Sequence, residues 1–152
     1  MMKVGKPFYS MSEIGDYTFA QWKVVWREQA SKMTASVIGP CDGRPTVPDH
    51  KLMLVDCGSE EEAHFVCACL NSSLGQFVAQ SYAVEIQMDP HILDHIRIPR
   101  FDPSNSVHIR LAELSQEAHE AAKAGDEKRL QRIESEIDQT AAKLWGLTDE
   151  EL

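Results

Sequence analysis

The run Y-T-F-A-Q-W-K-V-V-W-R at residues 17–27 restricts the fold more than any other stretch of this chain. Taken two residues at a time, it puts Trp22, Val24 and Trp26 on one side and Gln21, Lys23, Val25 and Arg27 on the other. Period-two alternation of β-branched and aromatic residues marks a half-buried strand. The Trp face can supply most of a small core, because each aromatic buries a large area. The opposite face carries two long cations on a rigid support. Such cations suit phosphates or base edges, although spacing alone fits a solvated strand face better.

The chain on either side follows from this strand. Residues 3–14 mix Gly, Pro, Ser and aromatics without period and read as an extended lead-in, and Gly15-Asp16 is a turn signal. Residues 32–38 read as a second strand ending at Gly39-Pro40. Cys41-Asp42-Gly43-Arg44-Pro45 is a loop in which Asp-Gly marks a turn, and residues 51–57 read as a third strand. Strands this short and close pair antiparallel, since parallel pairing needs a long crossover. Ser59 with Glu62 forms a capping box. Ala63, Val66, Cys67, Leu70, Leu74, Phe77 and Val78 then recur at helical spacing and predict one helix laid on the sheet, with a kink or break at Asn71-Ser72-Ser73. Residues 82–87 and 96–98 are expected as short strands, the second stopped by Pro99.

The last third is helical. Val107, Leu111, Leu114, Ala118 and Ala121 form one apolar stripe, and Leu130, Ile133, Ile137, Ala141 and Leu144 form another. Joined at Ala124-Gly125-Asp126, they predict an antiparallel hairpin. Thr148-Asp149-Glu150-Glu151 repeats the capping-box pattern. The fold class is therefore α+β: a small, mostly antiparallel sheet packed on one helix, followed by a C-terminal helical hairpin. The division falls into an α+β part over residues 1–103 and a hairpin over 104–152, packed on it or on a partner domain.

Apolar residues make up 43% of the 152, enough for a core. No apolar run approaches the ~20 residues that cross a bilayer, no apolar signal region opens the chain, and the four cysteines suit a reducing cytosol. A cytoplasmic, membrane-free protein is expected. The net charge of −9 argues against a simple nucleic-acid binder, but it is unevenly spread. Residues 1–51 hold seven bases against five acids, a net +2; residues 52–100 come to −5 and residues 101–152 to −6. The acid is concentrated away from the first strand.

Several segments together carry a family resemblance. They are the run at 17–27, V-P-D-H-K-L-M-L-V, E-E-E-A-H-F-V-C-A-C-L-N-S-S, P-H-I-L-D-H-I-R-I-P-R-F-D-P-S-N, L-A-E-L-S-Q-E-A-H-E and A-A-K-L-W-G-L-T-D-E-E-L. In this order the chain, over nearly its whole length, resembles the C-terminal part of large adenine-specific DNA methyltransferases of type II (IIG-like) restriction-modification and related phage-defence systems. The resemblance implies a target recognition domain. Such a piece reads double-stranded DNA for a methyltransferase catalytic domain in the same or another chain. S-adenosylmethionine is then expected in that catalytic domain and not in this chain. The family's glycine motif for the cofactor and its catalytic Asn/Asp-Pro-Pro-Tyr/Phe tetrapeptide, which holds a flipped adenine, are both missing here. No catalytic residue is expected.

The resemblance also directs attention to particular side chains. Lys23, Trp26 and Arg27, with Arg44 and Lys51, are candidates for phosphate and guanine contact. Asn71, Ser72 and Ser73 fit either phosphate bonding or a local kink. Arg97 and Arg100 flank an Ile-Pro junction that resembles the strand leading into the long helix of type I specificity subunits, and could clamp phosphates. Cys41, Cys57, Cys67 and Cys69, with His50 and His64, lack metal-ligand spacing and read as buried or half-buried thiols. His91 and His95 read as ordinary. No nucleophile elbow, P-loop or H-E-x-x-H motif occurs. The alternative is a protein-interaction module of the same system acting through the helical hairpin.

Overall fold

A computed structural model describes residues 14–83, 87–88 and 90–148. All of the expected lead-in over residues 3–14 except Ile14, and all of the capping pattern over 148–151 except Thr148, lie outside them. A 3-10 turn, Asp16–Phe19, precedes β1 (Trp22–Arg27), β2 (Ser36–Ile38) and β3 (Leu52–Cys57). Then come α1 (Glu60–Asn71), α2 (Ser73–Tyr82), the short α3 (Leu93–Ile96), α4 (Ser106–Ala124) and α5 (Glu127–Ala142). The protein is α+β, with an antiparallel sheet in the order β2-β1-β3.

β1 is central, as its alternation requires. Val24 and Trp26, with Trp22 half-buried, face Met53 and Val55 of β3, Val37 of β2, and Ala63, Cys67 and Leu70 of α1. The indole of Trp26 donates to the Met88 carbonyl at 2.8 Å, and the Met88 amide donates to Glu28 at 2.7 Å, so the buried ring leaves no polar group unmet. The other side of α1 presents Phe65, Ala68 and Cys69 to Leu111 and Leu114 of α4 and Ile133, Ile137 and Ala141 of α5. α1 thus lies between the sheet and the helical hairpin and supplies residues to both cores. Both hairpin stripes are consumed inside the molecule.

Local chemistry sets the helix ends. Ser59 caps α1, accepting from the Glu62 amide at 3.1 Å, while Glu62 accepts from Gly58 at 2.6 Å, one residue before the usual capping-box partner. The break between α1 and α2 falls where the poor helix formers stand. Ser72 Oγ donates to the Cys69 carbonyl at 2.7 Å and accepts from Gly75 at 3.1 Å. Gly75 approaches α1 so closely that a Cβ there would sit 2.2 Å from the Cys69 carbonyl oxygen. The start of α2 is then capped from α5: Asp138 accepts from both the amide and the hydroxyl of Ser73 at 2.6 Å.

One expected strand is corrected, and the other, at 82–87, lies partly outside the described residues. Residues 96–98 form none, because Ile92 and Ile96, four apart and both buried, sit at helical spacing. Arg97 ends that turn in the left-handed region (φ 52°). Tyr82 is the last residue of α2, Gln87 forms an isolated bridge with Gln29, and residues 84–86 lie outside those described.

Candidate nucleic-acid interface

The outer face of the sheet is not the solvated ledge that alternation predicts. Lys23 is 0% and Val25 6% exposed. The connection between β2 and β3 folds back over this face, and Lys23 Nζ donates to the carbonyls of Ala20 and Thr46, the latter at 3.0 Å. Burial lowers the pKa of its ammonium, and the Asp56 carboxylate, its partner across the sheet, partly offsets this. Lys23 is therefore a structural pin in this fold and does not reach solvent. Trp26 is a core residue. Ser72 is 1% exposed and fully engaged in the α1–α2 junction. Asn71 clamps the stretch before β2 from both sides: its Oδ1 accepts from the Ala35 amide and its Nδ2 donates to the Ala35 carbonyl, each at 2.9 Å.

The exposed cationic candidates are Arg27, Arg44, Lys51, Arg97 and Arg100. Arg27 and Lys51 come together at one end of the sheet, where Arg27 pairs with Leu52 and the Glu28 amide donates to the Lys51 carbonyl at 3.1 Å. Beside them lies a groove of about 670 Å³ lined by Arg27, Ser31, Lys32, Thr34, Ser36 and Leu52, with Val25, Trp26 and Ala30 at its base. No carboxylate among the described residues lines it. Among the described residues, neither Arg27 nor Lys32 is held in an ion pair. Two cations and three hydroxyls in one concave strip supply the donors that bind phosphate oxygens. Arg97 stands apart, beside an apolar cavity of about 260 Å³ with Leu74, Val78 and Trp145. Arg44 projects from a separate turn.

Lys32 and the three hydroxyls were missing from the sequence-based set. Their signal is a short alternation: Met33 and Ala35 are buried while Lys32, Thr34 and Ser36 are exposed. It is visible in retrospect but too short to stand alone.

Among the other reactive groups, Cys41 is exposed and Cys57 half-buried, while Cys67, Cys69 and His64 are buried. His64 Nδ1 and Ser115 Oγ share a 3.0 Å hydrogen bond, but both residues are buried between α1 and α4, out of reach of a substrate. Burial, aided by neighbouring His119 and opposed by Glu61, pushes the His64 pKa down to about 4. His119 Nε2 accepts from the Val37 amide at 3.1 Å and its Nδ1 donates to the Ser115 carbonyl at 2.7 Å, which ties β2 to α4. Burial raises the Cys57 and Cys67 thiols to about 12, and Cys67 donates to the Ala35 carbonyl at 3.4 Å. These are inert thiols. Among the described residues, no helix is long and apolar enough to cross a membrane, and no three His, Cys, Asp or Glu gather as metal ligands.

Over 71 residues, 47% of its length, the chain is 32% identical to the type II methyltransferase M.NspV of Nostoc sp. (strain ATCC 29411 / PCC 7524), of which the match covers 15%. The chain is thus similar to part of a type II methyltransferase. No family model and no solved structure matches.

Proposed function

We propose that this chain is the target recognition domain of an adenine-specific DNA methyltransferase in a restriction-modification or phage-defence system, with no chemistry of its own. The observation that carries this reading is the groove of Arg27, Lys32 and three hydroxyls, with no carboxylate among its described lining residues, on a chain whose net charge is −9 and which is similar over 71 residues to a type II methyltransferase. A chain this acidic gains nothing from a bare cationic strip unless an anion meets it. Arg27, Lys32 and Lys51 would lie against the phosphates, and the sheet end would set the register on double-stranded DNA. The catalytic domain that flips and methylates the adenine, with its S-adenosylmethionine, would be supplied by the same or another chain.

Binding should be weak and steeply salt-dependent. In a gel-shift titration across a salt series, Arg27→Ala and Lys51→Ala should each lower the log–log salt slope by about 0.9. Deleting this segment from a methyltransferase that carries it should erase sequence preference. Preference that survives the deletion refutes the reading. The alternative, assembly through the hairpin, needs an apolar stripe left over for a partner. Ile133 and Ile137 are buried and Leu130 is packed against them, so that stripe is already occupied.

A further inference from the structure

We propose that the two-residue hairpin at residues 41–44 is the base-reading element, with Arg44 and Asp42 addressing the two halves of one G·C pair and buried Lys23 fixing the hairpin in place. The inference rests on the reading of the chain as a DNA-recognition piece and adds which side chains discriminate.

The hairpin is rigid. The Cys41 amide donates to the Arg44 carbonyl at 2.9 Å, and the Arg44 amide donates to the Cys41 carbonyl at 3.0 Å. Between them Asp42 and Gly43 both have positive φ, 49° and 73°. That is the pattern of a type I′ turn, which matches strand twist and holds one shape. Asp and Gly are among the few residues that accept such angles. Behind the turn, Thr46 Oγ1 donates to the Gly39 carbonyl at 2.8 Å, and Lys23 donates to the Thr46 carbonyl. A fully buried ammonium keeps its partners, since freeing one strands a charge in the interior. The base of the hairpin is therefore bolted to β1, the central strand.

The tip carries one cation and one anion, both exposed. A row of phosphates repels Asp42 as strongly as it attracts Arg44, so a neutral tip gains little there. A base-pair edge is different. Guanine offers two acceptors to an Arg fork, and cytosine offers an amino donor to a carboxylate. The major groove, ~12 Å wide, admits a two-stranded ribbon. The net-positive groove beside Arg27 and the neutral, preorganised tip at Arg44 are thus suited to different parts of the duplex. Asp42 also serves the turn itself, and this makes the test clean. Asn favours the same positive φ, so Asp42→Asn keeps the turn and removes only the carboxylate.

The experiment is selection of duplexes from a random pool at low salt with this chain, followed by binding measurements across salt. Wild type should enrich a motif containing a G·C pair. Arg44→Ala should lower discrimination at that pair by about 5- to 150-fold and leave the salt slope unchanged. Arg44→Lys, which keeps the charge but loses the fork, should fail alike, and Asp42→Asn should weaken preference at the same pair. Arg27→Ala should instead weaken all sequences evenly. A motif unchanged in both Arg44→Ala and Asp42→Asn overturns the inference while the DNA reading stands. So does a uniform loss with a lowered slope, which would make Arg44 a phosphate contact. No enriched sequence with wild type sinks both. Loss of binding to a methyltransferase domain with the motif intact would make the tip a protein contact and also overturn it.

Discussion

The sheet and the helical hairpin bury their apolar residues against the same helix, yet Arg110 on the hairpin and Arg27 on the sheet meet opposite surroundings. On the hairpin, Arg110 is gripped by Glu136 at 2.8 Å, Glu117 at 3.1 Å and Glu113 at 3.2 Å, which raises its pKa, with the Glu136 hydrogen bond the largest cause. Arg129 faces Glu120 at 3.7 Å. On the sheet side, Arg27 and Lys32 line a groove with no carboxylate among the described residues, and Lys23 is held by carbonyls inside the fold. Arg110 is neutralised within the hairpin, whereas Arg27 and Lys32 are left available. What differs is where the acids fall, because both regions have cations.

The comparison assumes that the halves share one cooperative core through α1. Trp26→Ala on the sheet side should cost about 3–5 kcal/mol, and Leu111→Ala on the hairpin side about 2–5 kcal/mol. Urea unfolding followed by fluorescence and circular dichroism should show one transition moved in each case. Two transitions, of which each variant moves one, would break the comparison.

The next effect is His64, which joins the halves. Unfolded, it takes a proton near pH 6.5; folded, only near pH 4. The unfolded state therefore binds more protons in this window, and stability should fall as pH drops from about 6.5 to about 4, by up to about 3 kcal/mol. His64→Gln should flatten the profile there. A wild-type curve already flat between these values contradicts the buried, neutral imidazole. Asn71→Ala should cost about 1–3 kcal/mol, since it leaves the Ala35 amide and carbonyl without their partner, and should speed amide exchange at Ala35. Smallest is Glu136→Gln. A half-exposed ion pair contributes ~1 kcal/mol or less, and the difference from wild type should vanish at high salt. A larger, salt-resistant loss would mean that the hairpin's charges hold the fold.

Much of this architecture can be read from the chain. The Trp22, Val24, Trp26 alternation fixes β1 and its inner face, and the two stripes after Ser106 fix the hairpin. The Asn71-Ser72-Ser73 interruption marks a real break between helices. The fate of Lys23 is not legible, because burial of the outer face depends on a connection more than 20 residues away folding back, with Thr46 as acceptor. Local alternation describes a strand and says nothing of what covers it. The turn at Arg97 was hidden because Pro99 suggests extended chain while Ile92 and Ile96 vote for a helical turn. The groove was half legible: Arg27 and Lys51 stood out as cations, whereas Lys32, Thr34 and Ser36 depend on Met33 and Ala35 being buried beneath them. The exposed candidates Arg97 and Arg100 lie away from that groove.

Amide hydrogen exchange with and without a duplex carrying the selected sequence reports both halves in one experiment. If the sheet side meets DNA, exchange slows at residues 27–36 and 41–51, with α4 and α5 unchanged. Protection confined to α4 and α5, or none at the groove and the 41–44 hairpin when DNA is bound, would contradict that contact.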